Sequence, residues 1–169
     1  MARQVLEELG KHGVTGSVVR VVDHDVKPGV EADMGDGDEW PAIREQMIAA
    51  DILLVATPTW VGHMSSVAQR VLERLDAELS ETDDSGRPRV TGKVAVTAVV
   101  GNEDGAHKIT ADLMQGLNDI GFTIPAQGGS RDYKDLDETP DAVASTTATL
   151  AENAASLARA LKASPYPGS

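Results

Sequence analysis

Cysteine is absent from the 169 residues of this chain, which excludes disulfides, thiolate nucleophiles, iron–sulfur clusters and Cys-ligated zinc within it. Aromatic residues make up only 3%, namely Trp40, Trp60, Phe122, Tyr133 and Tyr166, so the core has to be aliphatic. Cations are scarce too: 15 Lys and Arg face 27 Asp and Glu, for a formal charge of −12, and they are scattered singly. A surface of that sign repels phosphate backbones, and no nucleic-acid partner is expected. No apolar run approaches the roughly 20 residues of a membrane span, and no charged segment followed by an apolar one opens the chain. A soluble, cytoplasmic protein is expected. The length suits one domain, since a chain of roughly 150 residues buries about 70% of its unfolded surface.

Two hydrophobic periods alternate along the chain. Val5, Leu6 and Leu9 mark a helical face, with Gly10 and Gly13 as stop signals, and residues 17–22 (SVVRVV) then read as a strand. Ile43, Met47 and Ile48 mark a helix over 40–50, and the nearly pure apolar run 51–56 suits a strand buried on both faces. Val67, Val71, Leu72, Leu75 and Leu79 form the next helical stripe, before a turn-rich segment at 81–88. Residues 93–100 (KVAVTAVV) give a strong strand, followed by a helix carrying Ile109, Leu113, Leu117 and Ile120 and stopping at Gly121. A short strand is expected over 122–125. Thr139 reads as the N-cap of the last helix, with Pro140 at its first position. Its core stripe of Val143, Thr147, Leu150, Ala154, Leu157 and Leu161 is spaced four, three, four, three and four residues apart. Such alternation predicts βαβ units: a doubly wound parallel sheet with helices on both faces, in three α/β/α layers. One domain over 1–163 and a disordered tail over 164–169 (SPYPGS) are expected.

In such sheets ligands sit at the carboxyl ends of the strands, so the loops after Ala56, Val100 and Pro125 are where function is sought. The first, TPTWVGHMS over 57–65, places a tryptophan, a histidine and a methionine at the tip of a buried strand. Gly62 permits close backbone approach there, and Ser65 can cap the following helix. The second, GNEDGAH over 101–107, has two glycines four apart, which allow turns that aim consecutive N–H groups at a ligand. It lacks the Gly-Lys-Ser/Thr ending of a nucleoside triphosphate loop. Each loop also has a purely structural reading. Trp60 would then cover the sheet end or a subunit contact, and Asp104 would cap the helix starting near Ala106. The acidic run 31–39 lacks the register of a calcium loop, and His24, His63 and His107 lie in three different loops, so no metal site is expected.

Together, ILLVATPTWVGHMSS (52–66) with the VLERLD helix behind it, and VVGNEDGAH (99–107), resemble the flavodoxin-like NAD(P)H-dependent FMN reductases, including the quinone reductases similar to tryptophan-repressor-binding protein. The order of elements resembles the flavodoxin-like fold over nearly the whole chain. The resemblance implies that Thr57, Pro58, Thr59, Trp60, Val61, Gly62, His63 and Met64 wrap the isoalloxazine ring. It further implies that Gly101, Asn102, Glu103, Asp104, Gly105 and Ala106 hold the pyrimidine edge of FMN through backbone N–H groups. N–H donors there would stabilise the reduced flavin anion. NAD(P)H as co-substrate, a small quinone-like acceptor, no proton-transferring residue of the protein, and a homodimer or homotetramer are implied in the same way.

The chain departs from the family at its beginning. The first strand of the 2-1-3-4-5 order, and the Ser/Thr- and Gly-rich phosphate loop after it, have no counterpart, and residues 17–22 correspond to the family's second strand. The expectation is that an N-terminal strand and phosphate loop are omitted from the given chain. Missing residues are also expected near Ser130 and Arg131, where the family carries a longer aromatic-bearing loop. Two other functions fit the same fold: a one-electron carrier of the flavodoxin type, suited to the acidic surface, and an interaction module without a cofactor. A receiver-type phosphoacceptor is set aside, because no Asp ends a first strand and no Lys follows the last.

Overall fold

Strand β3 (Val94–Gly101) is buried on both faces, and the other elements assemble around it. The computed structural model describes residues 1–133 and 140–167. In chain order the remaining elements are α1 (Ala2–Lys11), α2 (Trp40–Ala49), β1 (Ile52–Trp60), β2 (His63–Met64), α3 (Ser66–Leu75), α4 (Ala106–Ile120), β4 (Gly129–Tyr133) and α5 (Asp141–Ala163). The sheet runs β2-β1-β3-β4, with β1, β3 and β4 parallel and β2 a short antiparallel return on β1.

The two-residue period of β3 divides the core in two. Ala95 and Val99 join Val55, Trp40, Ile43, Val71, Leu75, Ile109, Leu113 and Leu117, the side covered by α2, α3 and α4. Val94, Val96 and Ala98 face Val5, Leu9, Leu150, Ala151, Ala154 and Ala158 of α1 and α5. The expected three-layer α/β/α arrangement follows. The stripes read from the sequence carry it: Ile109, Leu113 and Leu117 are fully buried, and Leu150 and Ala154 lie against the other face. Gly121 closes α4 at φ 121, a left-handed cap that a residue with a Cβ resists.

Four sequence expectations need correction. Residues 17–22 form no strand; Val21–Asp23 is a single 3₁₀ turn, and Val18 and Val22 are exposed. They join no strand, although among the described residues β1 pairs on its side away from β3 only at Thr59 and Trp60, with β2. The strand expected over 122–125 shrinks to one bridge between Thr123 and Val94. Pro125 has no N–H to donate and Gln127 turns at φ 53, so pairing with β3 resumes only at Gly129. Part of what was expected to be the loop after Pro125 is therefore β4. Ser130 and Arg131 pair in unbroken register with Ala98 and Val99, so the position where missing residues were expected is the middle of a strand. Pro140 stands at the N-cap of α5, one residue before the position expected; Thr139 lies outside the described residues.

The acidic loop before α2 is pinned from beneath. Arg74, fully buried on α3, pairs with the buried Asp38 at 2.8 Å. It also donates to the carbonyls of Lys27 and Glu31 and lies 5.6 Å from the centre of the Trp40 ring. Burial alone would push the Asp38 carboxyl up, but Arg74 and the N–H groups of Met34, Trp40 and Lys27 outweigh it and hold the group well below the usual carboxylate range. Asp38 is thus spent on the chain's own arginine. Residues 164–167 carry no helix or strand, and Tyr166 is held by Arg87 on its carbonyl and by Thr123 on its hydroxyl.

Candidate functional site

The segment read as a loop after a buried strand is a hairpin. Thr57, Pro58, Thr59 and Trp60 continue β1, Val61 and Gly62 turn, and His63 and Met64 return as β2, with Trp60 opposite His63. Val61 at φ 51 and Gly62 at φ 73 have the two positive angles of a type I′ turn, which suits the twist of a tight hairpin. Glycine takes such an angle freely; valine, with its branched Cβ, does not. The turn lifts two apolar side chains into solvent: Trp60 is 60% exposed and Val61 87%.

At the base of the hairpin the side chains lock the next helix. The Thr57 hydroxyl accepts from the Ser65 amide at 3.1 Å, and Ser65 Oγ accepts from the Ala68 amide at 3.1 Å, which caps α3 as its sequence position suggested. Thr59 is buried, and its hydroxyl has no hydrogen-bond partner. It lies under Gly101, where a Cβ would come within 2.7 Å of the Thr59 Cβ.

The second loop, from Gly101 to the start of α4, is clasped to the hairpin at three points. The Val61 amide donates to Glu103 Oε1 at 2.8 Å. Gly105, at φ 130, rests on the backbone of Gly62. Lys108 Nζ lies 3.3 Å from His63 Nδ1 and 2.5 Å from Asp112 Oδ2. Asp104 does not cap α4: the N-cap is Gly105, without a side-chain bond. Asn102, Glu103 and Asp104 are exposed, and Ala106 packs at the edge of the core.

All fourteen residues singled out from the sequence thus lie in two segments that touch each other. The flavin ring that the resemblance implies fits this arrangement. Trp60 offers an exposed aromatic face, the helix start at Ala106 has no side-chain cap, and Gly101 and Gly105 let the second loop close onto Thr59 and Gly62, which brings the two segments to one place. The fit concerns the ring. Sequence reading missed Lys108 and Asp112, and it missed the carboxylate of Glu103 as a partner for Val61. Lys108 and Asp112 form a local i,i+4 pair on α4, whereas the contacts of Lys108 with His63 and of Glu103 with Val61 arise only when two distant segments converge.

Among curated proteins, the chain is 38% identical over 121 residues to the divalent metal cation transporter MntH of Mycobacterium bovis, covering 69% of this chain and 18% of that protein. It is 34% identical over 124 residues to the 8-demethyl-8-aminoriboflavin-5'-phosphate synthase of Streptomyces davaonensis, covering 68% of this chain and 48% of the synthase. The chain therefore spans less than half the length of either relative. Among solved structures, RosB with its bound intermediate 8-demethyl-8-formylriboflavin-5'-phosphate superposes with TM-score 0.84 at 27% identity, over 98% of this chain and 73% of RosB. An archaeal flavodoxin superposes with TM-score 0.61 at 12% identity, over 94% of this chain and 87% of that one, which shows that the fold is flavodoxin-like. The model of the NADPH-dependent FMN reductases matches residues 1–131, and the chain belongs to that family.

Proposed function

We propose that the chain is the flavin-binding part of an FMN-dependent NAD(P)H oxidoreductase whose acceptor is a quinone or a similar small molecule. The observation that carries this reading is the clasp itself: an exposed Trp60 held beside a glycine loop and an uncapped helix start. When bound, FMN supplies hydride-transfer chemistry between the nicotinamide and the acceptor. Residues 57–64 position one side of the ring, with Trp60 against it. Residues 101–106 direct backbone N–H groups to its electron-rich edge, where negative charge grows on reduction. No side chain of the protein is required to carry a proton. The family resemblance supports extending the reading to a cytoplasmic homodimer or homotetramer.

The test is direct. The purified chain is titrated with FMN while flavin fluorescence is followed, and NADH or NADPH oxidation is then recorded with a benzoquinone as acceptor. Quenched flavin fluorescence and acceptor-dependent oxidation are expected. Absence of FMN binding overturns the reading.

A second reading is favoured by the likeness to RosB and to the aminoriboflavin-phosphate synthase, whose names make a riboflavin phosphate the molecule worked on. In that case the same clasp holds the flavin as substrate. Mass spectrometry of the flavin after turnover separates the two: an unchanged FMN mass supports the cofactor role, and an altered ring supports the substrate role.

A further inference from the structure

We infer that the Glu103 side chain is a positioning residue. Its carboxylate holds the strained Val61 turn and thereby sets Trp60 for the flavin. The inference rests on the proposed function and adds a role for a side chain in a loop whose backbone alone was assigned one.

Three observations meet at this point. Val61 takes φ 51, an angle at which its branched Cβ is strained, and its side chain is 87% exposed. Core packing therefore does not hold the turn. What engages it is the 2.8 Å bond from the Val61 amide to Glu103 Oε1, reaching across from the neighbouring loop. Trp60 precedes Val61 directly, and it pairs with His63 on the far side of the turn. A change of φ at Val61 reorients the strand end on which Trp60 sits. Backbone strain of this kind persists only where surrounding groups over-determine it, and here an ionised acceptor does so through a charge-assisted hydrogen bond.

Gly105 makes the tie short enough to work. It brings the second loop onto the backbone of Gly62, so Glu103, two residues earlier, reaches Val61 without further movement of either loop. The hairpin and the glycine loop then behave as one clamp, with Glu103 as its fastening.

The experiment uses the whole chain and four variants: Glu103→Ala, Glu103→Gln, Val61→Gly and the double Glu103→Ala/Val61→Gly. Amide hydrogen exchange at Val61 is read without flavin, and FMN affinity is read by fluorescence quenching. The native Val61 amide is expected to be protected despite its exposed side chain. Glu103→Ala is expected to speed exchange and to weaken FMN binding about tenfold, the scale of one residue's left-handed strain. Glu103→Gln keeps an acceptor oxygen and restores both. In the Val61→Gly background, where positive φ costs nothing, Glu103→Ala changes FMN affinity by less than about twofold. An unprotected Val61 amide in the native chain overturns the inference, as does an equal loss of affinity from Glu103→Ala with valine or glycine at position 61. If no variant binds FMN, the proposed function falls, and the exchange comparison alone upholds or overturns the tie.

Discussion

Gly105 meets Gly62 backbone to backbone: a Cβ on Gly105 would stand 2.7 Å from the Gly62 Cα and 2.9 Å from its carbonyl oxygen. Two glycines 43 positions apart thus set how closely the two segments of the candidate site approach. Because Gly105 is also at φ 130, both the space and the backbone angle exclude any other residue there.

Gly105→Ala is accordingly expected to push the hairpin from the glycine loop and to destabilise the fold by about 1 to 3 kcal/mol. Gly10→Ala is the control of opposite sign. Gly10 lies within α1 with open space where its Cβ would go, and alanine there is expected to stabilise by about 0.5 to 1 kcal/mol. Urea denaturation of both variants decides. Equal effects would show that the Gly105 contact is not restrictive.

Trp60→Ala separates binding from folding. With 60% of Trp60 in solvent, its removal is expected to move stability by no more than about 0.5 kcal/mol. FMN affinity should fall by about 1 kcal/mol or more, the worth of an aromatic pair. Trp60→Phe should recover most of that loss. Unchanged FMN affinity in Trp60→Ala would remove the ring from the site.

The fold was legible wherever apolar spacing meets a partner the chain itself supplies. The stripe Ile109, Leu113 and Leu117 covers one face of β3, and Leu150 and Ala154 cover the other. It failed at residues 17–22, whose apolar composition suits a strand but which hold only a 3₁₀ turn, with Val18 and Val22 exposed. It failed in the opposite sense at β4, whose residues look like a loop. There Ser130 is buried because its hydroxyl meets that of Thr147 at 2.7 Å, and Gly129 leaves room for Thr110 and Thr97. The two site segments were legible because glycine, tryptophan and histidine are out of place in plain connections. The ties between them were not, since Val61 and Glu103, or His63 and Lys108, become neighbours only in the folded chain.

Acid should unfasten the loop before α2. The Asp38 carboxylate is held below its ordinary value, so the stability it contributes is fully present above the unfolded-state value near about 4 and is lost as pH falls through the folded value. Asp38→Asn is expected to cost about 3 to 5 kcal/mol at neutral pH, because Arg74 stays buried without its carboxylate. It should also flatten the decline of stability below about pH 4. Asp83, also lowered by Ser85 and Arg87, titrates in both proteins and cancels in the difference. Denaturant melts between acid and neutral pH test this; parallel pH profiles for the two proteins would exclude Asp38 as the acid-sensitive group.

The same chemical change should have opposite signs at two buried threonines. Thr97 is fully buried in the centre of β3, and its hydroxyl has no partner. A buried hydroxyl in that state costs about 1 to 3 kcal/mol, and valine has the same shape without it. Thr97→Val is therefore expected to stabilise the protein by about 1 kcal/mol, raising Tm by about 2 to 4 °C for a chain of this size. Thr147 is nearly as buried, but its hydroxyl meets Ser130 and bonds to the Val143 carbonyl at 2.8 Å. Thr147→Val strips Ser130 of that partner and should destabilise by about 1 to 3 kcal/mol. Calorimetry on the two variants compares signs rather than magnitudes. If both lower Tm, the hydroxyl of Thr97 is satisfied by a group such as a buried water, and its burial carries no penalty; if both raise it, the Thr147 hydroxyl is worth nothing to Ser130.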